Sequence, residues 1–326
     1  MQTDNLQIEI NTIYTPDILG DGFESLTYNL PDDYEGAVTA TLIRRKSAIN
    51  SVKAILYIHG FNDYFFQSEM AKRFNDNGYH FYALDLRKYG RSHLPNQKLN
   101  NVRSISEYNA EINLALQTIK MEGNQHVILE GHSTGGLIIT NYAIQFPNSK
   151  LFHGLICNSP FYEFNLNYFE REIGIPILAF AGRYLPDIVV PAGFTKLYGY
   201  SLHQQKHGEW DYSLLWKPLD ITKINLGFLT AIFNAQKNIQ HNAIVTVPAL
   251  IMHSDKSIYE KKYSDKLKTG DTVLNVTHIK KYAHGLTGDI TVSQIENGMH
   301  DLVLSTKPVR EEVYTKIFNW IGSHFK

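Results

Sequence analysis

A serine in a glycine-flanked turn is the residue of this sequence best suited to chemistry. Ser133 is the centre of the pentapeptide GHSTG, between an apolar run at 125–129 and a helical pattern at 135–146. A turn this sharp forces its central residue into a strained backbone conformation, and glycines at positions 131 and 135 remove the side chains that would collide. Ser133 would then stand above the carboxyl ends of the strands, at a helix N-terminus that favours developing negative charge. The pattern predicts an exposed serine nucleophile.

Strand-like and helix-like segments alternate on both sides of this turn. Strands are predicted at 25–29, 37–43, 53–58, 80–86, 125–129, 151–157, 247–252 and 289–295, and helices at 67–77, 106–121, 135–146, 276–286 and 309–325. Either Ser104, in the capping pattern Ser104-x-x-Glu107, or Ser106 would cap the second helix. Strands that alternate with helices imply βαβ units and a mostly parallel sheet, so the fold class is α/β.

The alternation stops after the strand at 151–157 and resumes near residue 247. Residues 161–216 contain thirteen aromatic residues and no clear strand pattern. The simplest organisation is one α/β domain in two parts, 1–160 and 246–326, interrupted by a cap or lid insertion at 161–245, called the insert below. An independent tandem domain is the alternative, but both ends of the insert run directly into predicted strands.

Four motifs carry a resemblance to the α/β-hydrolase family, and more narrowly to its monoacylglycerol lipase and lysophospholipase-like branch of the serine aminopeptidase S33 type. Besides GHSTG they are His59-Gly60-Phe61, Asp85-Leu86-Arg87-x-x-Gly90-x-Ser92 and Gly298-Met299-His300-Asp301. The resemblance covers about residues 25–160 and 245–325 and implies a central sheet flanked by helices, with a cap. Asp85 and Arg87 are expected to form a structural pair that braces neighbouring loops.

The resemblance indicates His300 as the general base among fourteen histidines. In the family's chain order the base follows the serine and the acid, in a loop after the last strand. His300 follows the predicted strand at 289–295 and a short turn. His284 lies within a predicted helix, and Asp301 abuts His300 in the sequence, where it is badly placed to orient the imidazole.

Two aspartates qualify as the acid that would orient this histidine. Asp255 directly follows the apolar segment 249–254, at the end of the predicted strand at 247–252, which is where the family's acid normally lies. Asp271 follows an extra polar stretch, 256–270, and lies 29 residues before His300, whereas Asp255 lies 45 residues before it. In the family the acid and the histidine are usually about thirty residues apart, which favours Asp271. Asp255 remains the runner-up, and the aspartate that is not the acid would be a turn or helix-cap residue.

These residues imply acyl transfer by a catalytic triad. A serine hydroxyl needs an adjacent base to act as a nucleophile, so His300 would accept the Ser133 proton and pass it to the leaving alcohol. The backbone N–H groups of Phe61 and Thr134 are the oxyanion-hole donors that the resemblance implies. The expected activity is a carboxylester hydrolase acting on a monoacylglycerol, a lysophospholipid or a short- to medium-chain acyl ester.

The insert and the residues beside the turn are where substrate contacts are expected. An aromatic-rich cap is consistent with an apolar acyl pocket, although the rings could instead form the insert's own small core. The residues assigned to substrate binding are His59, His132, Phe161, Trp210 and Trp216. Of these, His59 also suits a structural hydrogen-bonding role, and the side chain of His132 is expected to point away from the active face.

Composition excludes several other classes of function. The net charge of −1 leaves no basic surface for nucleic acid, and the longest apolar runs are too short for a membrane span. One cysteine and the absence of a secretory signal suit the cytoplasm. No zinc-type or phosphate-binding motif is present, so neither a metal nor a cofactor is expected, and the expected partner is a small apolar ester.

Two alternative functions remain open. A protein with this fold could bind a small apolar ligand without catalysis, or cleave amide or peptide bonds. Aminopeptidase-like relatives bind a substrate amine with cap carboxylates, and the insert carries Glu163, Glu170, Glu172 and Glu209. These glutamates equally suit a solvated face. Epoxide and haloalkane hydrolysis are disfavoured, because those relatives have aspartate where this chain has Ser133.

Overall fold

The computed structural model describes residues 13–193, 195–221 and 223–325. Within these ranges the chain forms eleven strands and eight α-helices. In chain order the strands are β1 (Thr15–Pro16), β2 (Glu24–Asp33), β3 (Gly36–Arg45), β4 (Lys53–Ile58), β5 (His80–Asp85), β6 (His126–His132), β7 (Gly154–Asn158), β8 (Val189–Pro191), β9 (Lys223–Asn225), β10 (Ala249–Ser254) and β11 (Ile290–Ile295). The helices are α1 (Ser68–Asp76), α2 (Asn109–Met121), α3 (Thr134–Gln145), α4 (Ile175–Gly182), α5 (Leu197–Leu202), α6 (Leu226–Gln240), α7 (Val276–His284) and α8 (Lys307–His324).

The central sheet is mostly parallel, as the alternating pattern predicts. Its strand order is β1-β2-β3-β5-β4-β6-β7-β10-β11. From β5 to β11 every neighbouring pair is parallel, whereas β1, β2 and β3 extend the sheet as antiparallel strands. The residues of β4 from Ala54 to Ile58 are all buried, because helices cover both faces of the sheet. The parallel strands bring the carboxyl ends of β4, β6, β10 and β11 to one edge.

Two hydrophobic layers cover the sheet. One layer contains the inner faces of α2, α3, α6 and α7, and the other contains those of α1 and α8. Ser104 forms the capping box with Glu107, but it caps a 3₁₀ turn at Ile105–Tyr108 that leads into α2. The predicted pair of Asp85 and Arg87 is wrong. Asp85 pairs with Arg91 at 2.8 Å and Arg87 with Glu111 at 2.8 Å, so each charge braces a different loop.

The insert contributes no described strand to the main sheet. It contains α4, α5, α6 and a two-stranded antiparallel pair, β8 and β9. The inner residues of α6, among them Phe228 and Ile232, belong to the same hydrophobic layer as α3. The last helix of the insert is therefore packed on the body of the domain. No α-helix in the described ranges is both long and apolar enough to cross a bilayer.

A carboxyl group is buried in the middle of the sheet. Glu130 on β6 is fully buried, and neither of its carboxyl oxygens has a hydrogen-bond partner among the described residues. Burial, and to a smaller extent the nearby Asp301 carboxylate, raises the pKa of Glu130 to about 8. The folded protein therefore holds a proton that the unfolded chain releases above a pH of about 4.5.

This buried acid predicts a fall in stability as the pH rises. Between about pH 4.5 and pH 8 the folded state binds more protons at Glu130 than the unfolded state, so each pH unit should lower the free energy of unfolding by about 1.4 kcal/mol. Glu130→Gln should remove this contribution to the slope. Urea unfolding at pH 5, 6, 7 and 8 measures it, with the exposed Glu260→Gln as the control. Equal slopes for wild type and Glu130→Gln would contradict the expectation.

Candidate active site

Ser133 occupies a strained turn between β6 and α3. Its φ of 52° lies in the left-handed region, which non-glycine residues rarely adopt. A Cβ at Gly135 would lie 2.1 Å from the carbonyl oxygen of Ile58, and a Cβ at Gly131 would lie 2.6 Å from the backbone of Gly135. Both positions therefore require glycine, and the turn places Ser133 at the N-terminus of α3.

The histidine predicted from the last strand lies beside this serine. The Ser133 hydroxyl is 3.0 Å from Nε2 of His300 and is placed to donate to it. On the other side of the ring, Nδ1 of His300 is 2.9 Å from Oδ2 of Asp271 and is placed to donate to that carboxylate. All three residues are buried, so Ser133 is less exposed than the sequence predicts, although it lines the cavity described below. The three side chains form a continuous line of hydrogen bonds from carboxylate to hydroxyl.

The loop after β10 explains why Asp271 reaches the histidine and Asp255 does not. The polar stretch between these aspartates leaves the sheet and returns. The N–H of Ile258 donates to the carbonyl of Asp271 and the N–H of Asp271 donates to the carbonyl of Lys256, which pairs Asp271 with the chain beside Ser257 in an isolated bridge. The other carboxylate oxygen of Asp271, Oδ1, accepts hydrogen bonds from the N–H groups of Val273 and Leu274, each at 2.8 Å. Asp255 instead accepts the N–H of Asn297 at 2.8 Å and pairs with the neighbouring Lys256.

Asp301 does not orient the His300 ring. One of its carboxylate oxygens accepts a hydrogen bond from the Asn158 amide at 2.7 Å. The Asp301 N–H donates to the Tyr198 hydroxyl at 3.0 Å, and the edge of the Tyr198 ring packs against the His300 ring with 5.5 Å between centroids. Tyr198 lies in the insert and was not found by sequence reasoning, since no local pattern links it to the strand ends.

The loop after β4 lies against the serine turn. A Cβ at Gly60 would lie 3.2 Å from Cβ of Ser133, so the following residue, Phe61, is close to the nucleophile. Thr134 is the first residue of α3 and borders the same space, and Phe61 packs its ring on Phe228 with 4.9 Å between centroids. The two residues predicted as oxyanion-hole donors thus line the same cavity as the serine.

A largely apolar cavity of about 720 Å³ opens at Ser133 and His300. Its apolar wall comes mostly from the insert and includes Phe161, Phe164, Leu166, Ile175, Leu178, Val190, Leu219, Ile224, Phe228, Leu229 and Ile232. Its polar end near the serine includes Asn62, Asp63, His132 and Lys217. Helix α4 turns Leu178 towards the cavity and leaves Ile177, which is 62% exposed, on its outer face.

Two of the five residues expected to contact substrate line this cavity. Phe161 is one of them. It also packs in the hydrophobic layer of the main domain, and not in a separate core of the insert, which was the alternative prediction. His132 is the other, and the expectation that its side chain points away from the active face is wrong. The His132 ring packs edge-on against the His300 ring at 4.9 Å, because β6 ends with that side chain directed towards the β11 loop.

The other three expected contacts are corrected by the structure. His59 is buried beneath the loop, where its ring bonds to the carbonyl of Gly60 and accepts the N–H of Leu86, so it has the structural role. The Trp210 indole donates to the carbonyl of Leu304, and Trp216 packs against Tyr64. Neither tryptophan lines the cavity, since both fasten the insert to the body of the protein.

Three buried residues below the serine turn have the donor atoms of a metal site. Asp63, His132 and Asp301 each bring one such atom within 4.8 Å of the others. The Lys217 ammonium lies 2.7 Å from Asp63 and already supplies a positive charge there. A bound cation would therefore meet electrostatic repulsion, and this donor set fits a charge network better than a metal site.

Comparison with known proteins places this geometry in a family. Residues 50–304 match the sequence model of the family described as serine aminopeptidase, S33. The chain belongs to this family. It is therefore a hydrolase with the α/β-hydrolase fold, as the motifs indicate. No curated protein sequence matches the chain at a significant level.

The structural matches to solved proteins cover most of this S33-family chain. A soluble variant of monoglyceride lipase from Saccharomyces cerevisiae, in complex with a substrate analog, is 17% identical with a TM-score of 0.68, and the match covers 98% of each chain. The monoacylglycerol lipase of Paleococcus ferrophilus is 18% identical with a TM-score of 0.62, covering 87% of this chain and 99% of that one. The mouse alpha/beta hydrolase domain-containing protein 10 is 16% identical with a TM-score of 0.55, covering 91% and 98%. At these identities the likeness shows the fold.

Proposed function

We propose that this protein hydrolyses carboxylic esters with an apolar acyl chain, through Ser133, His300 and Asp271. The observation that carries the proposal is the pair of hydrogen bonds that joins Asp271 to His300 at 2.9 Å and His300 to Ser133 at 3.0 Å. A base within hydrogen-bond reach of a nucleophile, itself oriented by a third group, is the arrangement that nucleophilic catalysis needs.

The reaction follows from the positions of these atoms. His300 Nε2 accepts the Ser133 proton as the hydroxyl oxygen attacks the ester carbonyl, and Asp271 holds the imidazole in the required tautomer and stabilises its charged form. The N–H groups of Phe61 and Thr134 are the proposed donors to the developing oxyanion. His300 then gives the proton to the leaving alcohol, which leaves an acyl group on Ser133. Water, deprotonated by the same histidine, releases the carboxylic acid.

The cavity supports an ester with an apolar acyl chain. We propose that the insert at 161–245 acts as the cap that supplies the apolar wall, with the two flanking parts of the chain forming the hydrolase core. A wall of aliphatic and aromatic side chains favours an acyl chain by removing it from water, at about 0.8 kcal/mol for each methylene. Monoacylglycerols, lysophospholipids and simple acyl esters all have this chemistry.

The glutamates of the insert favour an ester over an aminopeptidase substrate. Glu163 accepts hydrogen bonds from Tyr282 and Gln240, Glu172 pairs with Arg171, and Glu209 pairs with Arg310. Glu170 borders the cavity, but at the mouth of an apolar wall. Three of the four carboxylates considered for binding a substrate amine therefore already have partners within the protein.

Hydrolysis of p-nitrophenyl esters of increasing acyl length tests this assignment. Wild type should cleave the series, and Leu178→Trp should reduce kcat/KM for the laurate at least tenfold more than for the butyrate, because the larger ring fills the acyl wall. Ile177→Trp is the matched control, since the neighbouring side chain faces solvent and should leave the profile unchanged. No turnover of any ester by wild type would contradict the proposed function. An unchanged profile for Leu178→Trp would contradict the placement of the acyl chain.

A further inference from the structure

A segment of the insert is fastened to the loop that carries the proposed oxyanion donor Phe61. Three contacts join residues 61–64 to residues 213–218. The Asn62 amide donates to the carbonyl of Pro218 at 2.8 Å, the N–H of Ser213 donates to the Tyr64 hydroxyl at 2.7 Å, and the Lys217 ammonium lies 2.7 Å from Oδ1 of Asp63. The three residues that directly follow Phe61 thus each contact this segment.

The ion pair within this set is buried. The side chain of Asp63 is 1% exposed and that of Lys217 is 9% exposed, with the rings of Phe66 and Tyr212 5.4 and 5.6 Å from the ammonium. Two charges removed from water are stable only when their geometry is good, and removal of one leaves the other unpaired at a cost of several kcal/mol. The pair therefore holds Asp63 in one position far more firmly than an exposed pair would.

The charged and titratable groups around Asp63 come from several parts of the fold. The Lys217 ammonium and the side chains of Tyr198 and Tyr212 act on it from the insert. His132 at the end of β6 and Asp301 after β11 each bring a polar atom within 4.8 Å of the Asp63 carboxylate, and Nδ1 of His132 is 3.7 Å from Asp63 and 3.9 Å from Asp301. Four further side chains lie close enough to interact with its charge: Tyr57, His59, Tyr64 and Tyr89.

The balance of these groups keeps Asp63 ionised. Burial by itself would raise the pKa of the Asp63 carboxyl, but the Lys217 ammonium and then His132 lower that pKa to about 2. Of these two groups, the Lys217 ammonium has the larger effect on the pKa of Asp63. Without it, the effect of burial would dominate.

We propose that Lys217 is a positioning residue for the oxyanion hole. It holds the 61–64 loop, and with it the Phe61 N–H, in the conformation that receives the oxyanion. This role rests on the proposed function. The reason is geometric. Phe61 is two residues from Asp63, whose carboxylate is paired with Lys217, and a hydrogen-bond donor displaced by about 1 Å loses much of its effect on the transition state. The insert would then contribute to catalysis as well as to the acyl wall.

Lys217→Met tests the role by separating kcat from KM. We expect kcat for p-nitrophenyl butyrate to fall about 10- to 100-fold while KM changes less than threefold, because the oxyanion exists only in the transition state. The kcat profile should also gain a dependence on a group that takes up a proton on the acid side, since the pKa of Asp63 rises without the ammonium. Lys206→Met, an exposed lysine of the same insert, is the control and should match wild type in all three quantities.

Tyr64→Phe keeps the test decisive if Lys217→Met does not fold. It removes only the hydroxyl that accepts the Ser213 N–H, and it should lower kcat about three- to tenfold, again without a change in KM. A higher KM with an unchanged kcat in Lys217→Met would mean that the lysine contacts the substrate, and wild-type kcat in both variants would overturn the positioning role. An inactive wild type would instead contradict the proposed function, and this role with it.

Discussion

Replacement of Ser133 by alanine should abolish ester hydrolysis, with kcat about 10⁴- to 10⁶-fold below wild type. The hydroxyl is the atom that would carry the acyl group, and no other group in the line from Asp271 to His300 can take its place. The residual rate would come from substrate binding and the oxyanion donors alone, which is the behaviour seen when the nucleophile of a triad is removed. This is the largest effect that the geometry predicts.

Steady-state hydrolysis of p-nitrophenyl butyrate, with a fluorophosphonate label and mass spectrometry of the adduct, measures this effect. Wild type should acquire one label on the peptide that contains Ser133, and Ser133→Ala should acquire none. Ser106→Ala, which removes an exposed hydroxyl, should be labelled and active like wild type. Substantial turnover by Ser133→Ala, or a label on another residue, would contradict the proposed mechanism. A folded wild type that is neither labelled nor active would favour ligand binding without catalysis.

Asp271→Asn should lower kcat by about 10⁴-fold with little change in KM. The carboxylate accepts a hydrogen bond from Nδ1–H of His300 at 2.9 Å, and an amide in its place can donate to that nitrogen and stabilise the wrong tautomer. The imidazolium that forms during attack would also lose its counter-charge. Folding should survive the change, because the amide oxygen can still accept the N–H groups of Val273 and Leu274.

Asp255→Asn is the matched comparison for this variant. Asp255 accepts one N–H from Asn297, which an amide oxygen can accept equally well, so activity should stay within about twofold of wild type. Both variants are measured with the butyrate ester across pH 6 to 9. A large loss in Asp255→Asn together with normal activity in Asp271→Asn would show that the loop after β10 reaches the histidine differently in the working enzyme.

The elements that hold these groups could be predicted from the sequence because their signals are local. The apolar run of β4 and the turn around Ser133 each depend on a few consecutive residues, and the structure confirms the sheet that they imply. The same local reading failed for Asp85 and Arg87. Neighbouring charges on one strand end were expected to pair, whereas each found a partner elsewhere, Arg91 and Glu111.

The contents of the insert were least accessible to sequence reasoning. Its aromatic residues were expected either to face substrate or to form the insert's own core. Phe161 does line the cavity, but Trp210 and Trp216 fasten the insert to the body, and Leu178 and Lys217 line the cavity instead. An aromatic ring and an aliphatic side chain bury apolar surface equally well on either side of a cap. Whether such a side chain faces the cavity or the body of the protein depends on how the insert packs on that body, and composition carries no information about this packing.

The mostly parallel sheet and the strained turn at Ser133 could be inferred from the residues alone, because periodicity and turn chemistry act between residues close in the chain, and the family resemblance added His300. The choice of aspartate beside His300, the direction of the His132 side chain and the contacts that hold the loop of Phe61 could be read only from the folded chain. These outcomes are set by contacts between residues far apart in the chain, such as Asp271 with His300, 29 positions apart, and Asp63 with Lys217, 154 positions apart, and those contacts form only when the whole chain is folded.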